Sequence, residues 1–443
     1  METNTNNAST QVAAYKLGNT SSSPTWEEIR GSNNWKDLLE PLNLELREFI
    51  LRCGDFCEAT YDAYMKESMN FPESSFFNDV MLQNAPDYQV RYFLYAPSGS
   101  NIIGVQSTKS EINSTHWIGY VAVTTDDVSK KTGRREIYVV WRGTDNVGEW
   151  ITNLFGALHS KPLGGSLIES GNKEVTVHGG WLEMYTDEKV VTGGISVRKQ
   201  LHNAIQELKQ EYEGREEKLS LVITGHSLGG ALATLSAFDL VENKIIGDHI
   251  PGVSAIVFSC PNVGNEAFRK RVLETHSKQI KILHVKNVRD IVPRVPFVLL
   301  APHKFVTTST SELEVDTWKS PYLETSQEQH KFQSKGVIEN ILNVIEHLPY
   351  LIEGAIDQHN LEALLHVVAW WNGKDKEFDK TPKVRRSLAL VNKWSNYLKD
   401  ELRVPARWWE EKDKKGMVPV LEWVPKDQWP EWANIFLILP KPN

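Results

Sequence analysis

Cysteine, long apolar runs and excess positive charge are all scarce in this 443-residue sequence. No segment approaches the roughly 18 consecutive apolar residues that a membrane-spanning helix needs. The three cysteines, Cys53, Cys57 and Cys260, form no Cys-x-x-Cys pair, which argues against a disulfide framework and predicts buried, reduced thiols. Because Asp and Glu outnumber Lys and Arg by 57 to 49, nucleic acid is not an expected partner.

The first 33 residues contain little that could build a core. They are rich in Asn, Ser and Thr and lack the apolar segment of a secretory signal, so residues 1–33 are predicted to be a disordered tail. A plastid transit peptide is the alternative, because such segments are Ser-rich and poor in acidic residues. They are also Arg-rich, however, and the first Arg here is Arg30. A cytoplasmic location is therefore expected.

One domain is predicted over residues 34–443, and it opens on a helical pattern. Within 35–64, apolar side chains recur every four residues, at Leu38, Leu42, Leu46 and Ile50. Three runs rich in aromatic and β-branched residues follow and are predicted to be strands, at 88–95, 117–123 and 137–141. The last run is continuously apolar, which is typical of a strand buried on both faces.

A basic cluster lies between the second and third of these predicted strands. Its members, Lys130, Lys131, Arg134 and Arg135, flank a glycine. This arrangement predicts a solvated hairpin turn, and contact with a lipid headgroup is the alternative.

From residue 197 onward, predicted helices and strands alternate. The helices cover 197–208, 231–241 and 268–275, and the strands cover 219–224, 255–258 and 280–285. Such alternation predicts the α/β class, with a largely parallel sheet and helices on both faces. The last hundred or so residues are mixed and Trp-rich, and no linker precedes them, so they are expected to extend the same domain.

The segment 225–229 matches the G-x-S-x-G pattern of a nucleophile elbow, with Ser227 at its centre. The bare match is weak evidence, but this one follows an apolar strand and opens a helical segment. At such a turn, side chains at Gly225 and Gly229 would collide with neighbouring backbone, and the helix N-terminus faces a developing oxyanion. The alternative is a glycine-rich turn whose serine caps the helix. Ser227 is thus the candidate nucleophile.

A serine nucleophile needs a base, and the base needs an orienting acid. In α/β-hydrolases the chain order is serine, then acid, then histidine. Asp290 follows the predicted strand 280–285 and is the candidate acid, although an aspartate in a loop can also serve as a turn or cap residue. For the base, position alone leaves five downstream candidates, His303, His330, His347, His359 and His366.

An oxyanion hole needs two hydrogen-bond donors. One is expected from the backbone N–H of Leu228, the residue after the nucleophile. The other is expected from the loop that ends an early central strand, where the segment WRGT at 141–144 lies. Thr144 offers both its N–H and its hydroxyl there, and a threonine that only caps a turn is the alternative.

A series of ordered segments runs along residues 35–409. They are WKDLLEPL (35–42), YDAY (61–64), WIGYVAV (117–123), WRGT (141–144), EW (149–150), VHGGW (177–181), TGHSLGGALATL (224–235), RDIVP (289–293), SPYL (320–323), HNLEALLH (359–366), ALVNK (389–393) and VP followed by WW within 404–409. In these segments the chain resembles the plant class 3 (Rhizomucor-type) lipases, and most closely the phospholipase A1 class II group.

The resemblance implies an α/β-hydrolase fold and an acylhydrolase that acts on glycerolipids at a transient membrane or lipid-aggregate surface, with no metal or cofactor. It implies a triad of Ser227, Asp290 and His359, and an oxyanion hole at Thr144 and Leu228. The expected reaction is hydrolysis of the sn-1 acyl ester of glycerophospholipids. Mono-, tri- or galactosyl-acylglycerols are the alternative substrates. A non-catalytic lipase-like signalling module is the alternative of another class, and the complete triad argues against it.

The chain departs from the family in one place. Where the family usually has a short loop before the histidine, this chain has an insertion at 325–358. Its apolar spacing over 341–352 predicts a helix kinked or divided at Pro349. This helix either packs on the domain surface, or it forms a cap over the acyl groove or a membrane-facing element. A second helical run at 150–158 predicts either a core-packing helix, or a mobile cover over the site or a lipid-contacting face.

Overall fold

A computed structural model of the chain gives the fold. It describes residues 23–65, 72–80, 82, 84–97, 115–144, 160–163, 167–168, 174–188, 194–296, 305–324, 358–378, 383–384 and 386–409. The predicted cover at 150–158, the predicted helix at 341–352, and three of the candidate bases, His303, His330 and His347, lie outside the described residues.

A mostly parallel sheet forms the centre of the molecule. The described strands are β1 Tyr88–Pro97, β2 Thr115–Thr124, β3 Arg134–Trp141, β4 Ser160–Pro162, β5 Thr176–His178, β6 Lys218–His226, β7 Val253–Phe258, β8 Gly264–Asn265, β9 Ile280–Asn287, β10 Phe305–Val306 and β11 Ser311–Val315. Seven of them form one sheet in the order β1-β2-β3-β6-β7-β9-β11. The pairings β1-β2 and β2-β3 are antiparallel, and the others are parallel. All six predicted strands are confirmed, as β1, β2, β3, β6, β7 and β9.

Helices cover both faces of this sheet. The described α-helices are α1 Trp26–Ile29, α2 Leu44–Met65, α3 Phe76–Asp79, α4 Asp126–Thr132, α5 Gly179–Thr186, α6 Val197–Glu211, α7 Leu228–Glu242, α8 Glu266–Lys270 and α9 Leu361–Trp370. Helices α5, α6 and α7 contribute to the core on one face, and α2 and α9 contribute to the core on the other. This is the predicted α/β-hydrolase architecture. Among the helices that the structure describes, none has the length and apolarity to cross a membrane.

Strand β3 shows why the central strands appear in the sequence as continuous apolar runs. Its side chains alternate between the two cores: Val139 and Trp141 pack on the side of α5, α6 and α7, whereas Tyr138 and Val140 pack on the side of α2 and α9. Each face is covered by helices, so both sets of side chains are mostly apolar. The predicted burial of this strand on both faces is confirmed.

The carboxyl ends of three parallel strands carry the predicted site. Strands β3 and β6 are neighbours, and β9 lies one strand further along the sheet, beyond β7. Because parallel strands end at the same edge of a sheet, the segment 141–144, the elbow at 225–229 and the loop of Asp290 all emerge there. A second, antiparallel sheet of β10, β8, β5 and β4 is made of strands of only two or three residues.

The predicted tail boundary is wrong, because residues 25–33 belong to the fold. Helix α1 begins with a capping box in which the side chains of Thr25 and Glu28 each accept a hydrogen bond from the other residue's backbone N–H. The next turn buries Arg30, which forms an ion pair with Glu136 of β3. The Thr-x-x-Glu spacing is visible in the sequence and could have predicted this helix start.

Helix α2 begins at Leu44, later than the apolar spacing predicts. Pro41 has no N–H to donate to a helix, and its ring would clash with a preceding helical turn. Asn43 instead caps α2, since its side chain accepts a hydrogen bond of 3.1 Å from the N–H of Leu46. Leu38 therefore lies in the turn before the helix and packs against the core that α2 and α9 help to form.

The basic cluster lies at the end of a helix, so the predicted solvated hairpin is also wrong. Lys130 and Lys131 occupy the last turn of α4, where positive charge suits the helix dipole. Gly133 ends that helix in the left-handed region, with φ 67°. Arg135 is only 1% exposed and donates to Glu217 over 3.0 Å, so it is not available to a lipid headgroup. By contrast, the three cysteines are buried and free, as predicted.

Candidate active site

Ser227 lies at a strained turn between β6 and α7. Its backbone has φ 59° and ψ −125°, a conformation that residues with a side chain rarely adopt. The surrounding backbone is close: a Cβ at Gly225 would overlap the carbonyl of Gly229, and one at Gly229 would overlap that of Trp141. The predicted need for both glycines is confirmed. The N–H of Ser227 donates to the Phe258 carbonyl over 2.9 Å, which holds the turn against the end of β7.

Asp290 and His359 are joined by a hydrogen bond. The Nδ1 of His359 lies 2.7 Å from Oδ2 of Asp290, and both residues are at least 97% buried. The other carboxylate oxygen of Asp290 accepts the N–H of Val292 over 2.9 Å, which fixes the orientation of the carboxylate. With Nδ1 donating to Asp290, Nε2 of His359 keeps its lone pair and can accept a proton.

The ring of His359 is also placed beside the elbow. It stacks on the ring of His226, the residue before Ser227, with centroids 4.5 Å apart and planes inclined by 30°. Within the described part of the chain, Oγ of Ser227 and Nε2 of His359 are both buried without a hydrogen-bond partner. Catalytic hydrogen bonds are often long in an unliganded site and tighten when substrate binds.

The two predicted oxyanion donors lie on either side of this turn. Leu228 is the first residue of α7, where backbone N–H groups have no partner inside the helix. Thr144 is 1% exposed and follows β3, the strand beside β6. A Cβ at Gly143 would lie 2.8 Å from the His226 carbonyl, so the backbone before Thr144 packs directly on the elbow.

Three polar side chains that the sequence analysis missed hold the His359 loop. Asn287 ends β9, and its Nδ2 donates to Oγ1 of Thr317 over 3.0 Å and to the backbone carbonyl of Gln358 over 3.1 Å. The hydroxyl of Thr317 donates in turn to the side chain of Gln358 over 3.0 Å. Gln358 immediately precedes His359, so this network ties the loop of His359 to the strand that leads to Asp290. The sequence offered one signal for Asn287, which is a polar residue at the end of a predicted strand and close to the candidate acid Asp290.

We expect Asn287→Ala to lower kcat by about tenfold, because small errors in the position of a catalytic group are costly. Stability should also fall, by about 1–3 kcal/mol, since the variant leaves buried groups without a partner. Hydrolysis of a soluble short-chain ester and thermal unfolding would measure the two effects.

Asn392→Ala is the matched control for this variant. Asn392 is 1% exposed and also bridges backbone groups, since it donates to Val404 over 3.1 Å and accepts from Leu398 over 2.9 Å. It should lose similar stability and keep its kcat. Equal kcat in the two variants would contradict a role for Asn287 in placing the His359 loop.

No metal centre is evident in the described residues, where no three His, Cys, Asp or Glu side chains converge as ligands.

Comparison with known proteins identifies the family. Residues 138–300, which include most of β3 and extend beyond Asp290, match the model of the family described as Lipase (class 3). The chain is 42% identical to phospholipase A1-IIdelta of Arabidopsis thaliana over 424 residues, which cover 88% of this chain and 93% of that protein. It is 32% identical to the chloroplastic phospholipase A1-Igamma2 of the same plant, covering 89% of this chain and 74% of that protein.

Among solved structures, the chain is similar to the Lip2 lipase of Yarrowia lipolytica. The identity is 18% and the TM-score 0.41, with 62% of this chain and 81% of the other covered. The assignment rests on the plant relatives, whose identity to this chain extends over most of both sequences. The chain therefore belongs to the plant phospholipase A1-II group of the class 3 lipase family and is a serine carboxylic-ester hydrolase.

Proposed function

We propose that this acylhydrolase cleaves the sn-1 acyl ester of glycerophospholipids, with Ser227 as nucleophile, His359 as general base and Asp290 as the orienting acid. The observation that carries the proposal is the hydrogen bond between Asp290 and His359 beside the elbow of Ser227. The substrate class is supported by the relatives, which are named as phospholipases A1.

The proposed reaction begins with proton transfer from Oγ of Ser227 to Nε2 of His359 as Oγ attacks the ester carbonyl carbon. Asp290 stabilises the imidazolium through the Nδ1 hydrogen bond. When the tetrahedral intermediate collapses, His359 gives its proton to the departing lysophospholipid alkoxide, and the acyl group stays on Ser227. His359 then takes a proton from water as the water attacks the acyl-enzyme, and it gives that proton back to Oγ of Ser227 when the second tetrahedral intermediate collapses and the fatty acid leaves.

The oxyanion of each tetrahedral intermediate is assigned to Thr144 and Leu228. Both can donate a backbone N–H, and Thr144 adds a hydroxyl. Leu228 is the first residue of α7, where the helix dipole also favours negative charge. The burial of both residues matters, because a hydrogen bond to a developing charge is stronger away from water.

Thr144→Val removes the hydroxyl and retains the backbone N–H and the shape of the side chain. We expect kcat to fall by about 10²–10³-fold, the usual effect of losing one oxyanion donor, while KM changes little. Steady-state kinetics on a soluble ester would measure both constants. Thr234→Val is the control, because its buried hydroxyl bonds only to groups in and beside α7, including the Gly230 carbonyl at 3.0 Å. If Thr144→Val were as active as Thr234→Val, the Thr144 hydroxyl would have no role in the reaction.

The substrate class is tested with purified protein and a panel of lipids. Phosphatidylcholine with different acyl chains at its two positions should yield the fatty acid of position 1 and a 2-acyl lysophospholipid, identified before acyl migration. Faster hydrolysis of mono-, tri- or galactosyl-acylglycerols would overturn the phospholipid assignment. Absence of hydrolysis across the whole panel would favour the non-catalytic signalling alternative.

The proposal includes a cytoplasmic location and transient contact with a membrane or lipid-aggregate surface. Such contact follows from the substrate, since a phospholipid ester must be reached from a lipid surface. A fluorescent fusion of the full chain would test the location. Accumulation in plastids, as the name of the chloroplastic relative suggests for that protein, would overturn the cytoplasmic assignment.

A further inference from the structure

Tyr61 of helix α2 contacts two parts of the site at once. Its hydroxyl oxygen lies 2.7 Å from Nδ1 of His226, although 165 residues separate them in the sequence. The same hydroxyl fills the space above Gly143, where any Cβ would overlap it. Tyr61 thus links α2 both to the residue before the nucleophile and to the backbone before Thr144.

His226 is held as a neutral ring. Burial lowers the pKa of His226 well below its usual value, and the neighbouring His359 acts in the same direction. The backbone carbonyl of His359 has the opposite, smaller effect, as expected for an acceptor that faces the ring. A neutral imidazole carries one proton, and Nδ1 of His226 can either accept from the Tyr61 hydroxyl or donate to it.

Neutrality of His226 matters for its neighbour. The ring of His359 stacks on it at 4.5 Å, and His359 becomes positively charged each time it accepts the serine proton. A positively charged His226 would repel the His359 imidazolium, whereas a neutral His226 supplies a flat, uncharged surface for it to stack on. The Tyr61 hydrogen bond fixes the rotation of the His226 ring.

We propose that Tyr61 and His226 act as one positioning pair, which sets the ring of His359 and the backbone around Gly143 relative to Ser227. The inference rests on the proposed function, because it assigns a purpose to His359 and Thr144. Neither member of the pair exchanges a proton with substrate. Their effect is on geometry, so it should be seen in kcat and hardly in KM.

The test is a double-variant cycle with Tyr61→Phe and His226→Phe, each of which keeps a flat ring and removes the hydrogen bond. Each single variant should lower kcat on a soluble short-chain ester by about tenfold, with KM changed by less than about twofold. Phosphonylation of Ser227 by a nitrophenyl phosphonate should slow in parallel, because it needs the same base and oxyanion donors. The double variant should be hardly slower than the slower single variant, because the two residues form a single unit.

Tyr120→Phe is the matched control. The hydroxyl of Tyr120 is also buried against α2, where it donates to the Phe56 carbonyl over 2.9 Å, but it lies away from the elbow. Its loss should lower the melting temperature about as much as Tyr61→Phe and leave kcat unchanged.

Two results would overturn the positioning role: a kcat for Tyr61→Phe equal to that of Tyr120→Phe, or effects of Tyr61→Phe and His226→Phe that multiply in the double variant. The Ser227→Ala variant separates this failure from failure of the proposed function. If Ser227→Ala is inactive and Tyr61→Phe is fully active, only the positioning pair is wrong. If Ser227→Ala retains activity, the catalytic assignment itself fails.

Discussion

Ser227→Ala should lower kcat for ester hydrolysis by at least about 10⁴-fold and leave the protein folded. The loss is large because no acyl-enzyme can form without Oγ. The fold should tolerate the change, because Oγ has no hydrogen-bond partner among the described residues. Its removal therefore leaves no other buried group without a partner. Hydrolysis of nitrophenyl butyrate, with thermal unfolding of the same sample, measures both expectations.

Ser254→Ala is the matched control for Ser227→Ala. Ser254 is 5% exposed, and its hydroxyl is likewise buried without a partner in the described region, but it lies within β7, away from the elbow. The control should keep full activity. A folded Ser227→Ala protein with more than about a few per cent of wild-type turnover would mean that another group is the nucleophile. Ser227→Ala combined with His359→Ala should be hardly worse than either single change, because the triad acts as a unit.

The sheet could be predicted from the sequence because its signals are local. Strands β3, β6, β7 and β9 are buried on both faces, so each forms an apolar run that needs no knowledge of its neighbours. The elbow is local as well, since strand, turn and helix are consecutive.

The start of α2 differs from the prediction because the residues before it are buried through tertiary contacts, which the sequence does not show. Trp35 is fully buried, and its Nε1 donates to the Ile29 carbonyl over 2.9 Å, so a turn supplies apolar residues that mimic a helical spacing.

The proposed partners of Ser227 depend on tertiary contacts and are harder to predict from the sequence. His359 and Asp290 are 69 residues apart, and the sequence alone left five histidines as candidate bases until the family resemblance selected one. Gln358 and Asn287 are 71 residues apart, and the sequence does not predict their contact for the same reason. Amide and hydroxyl side chains in loops are common, and only the fold brings these particular ones together beside the base.

His366 illustrates the difference between a buried histidine and a candidate base. It lies on α9 with its Nε2 2.8 Å from Oγ of Ser320, and burial, followed by the charge of Arg386, lowers its pKa to about 3. A histidine that binds protons so weakly cannot serve as a general base near neutral pH. His366→Ala should therefore reduce stability, because it leaves the Ser320 hydroxyl without this partner, while kcat of the remaining folded protein stays close to wild type.

His359→Ala should remove nearly all turnover, by about 10⁴-fold or more, whereas His330→Ala and His347→Ala should stay within a few-fold of wild type. The reason is the single hydrogen bond to Asp290 at 2.7 Å, which His359 makes from a loop held by Asn287 and Gln358. His330 and His347 belong to the insertion at 325–358 and lie outside the described residues.

Soluble-ester kinetics on the three purified variants would decide this assignment, with melting temperatures to exclude unfolding. The two insertion variants serve as controls for removing an imidazole close to His359 in the sequence. An inactive His347→Ala protein beside an active His359→Ala protein would transfer the role of base to the insertion. In that case the Asp290–His359 hydrogen bond would be structural, and Asn287→Ala should then lower stability without lowering kcat, a second result that the same assays would record.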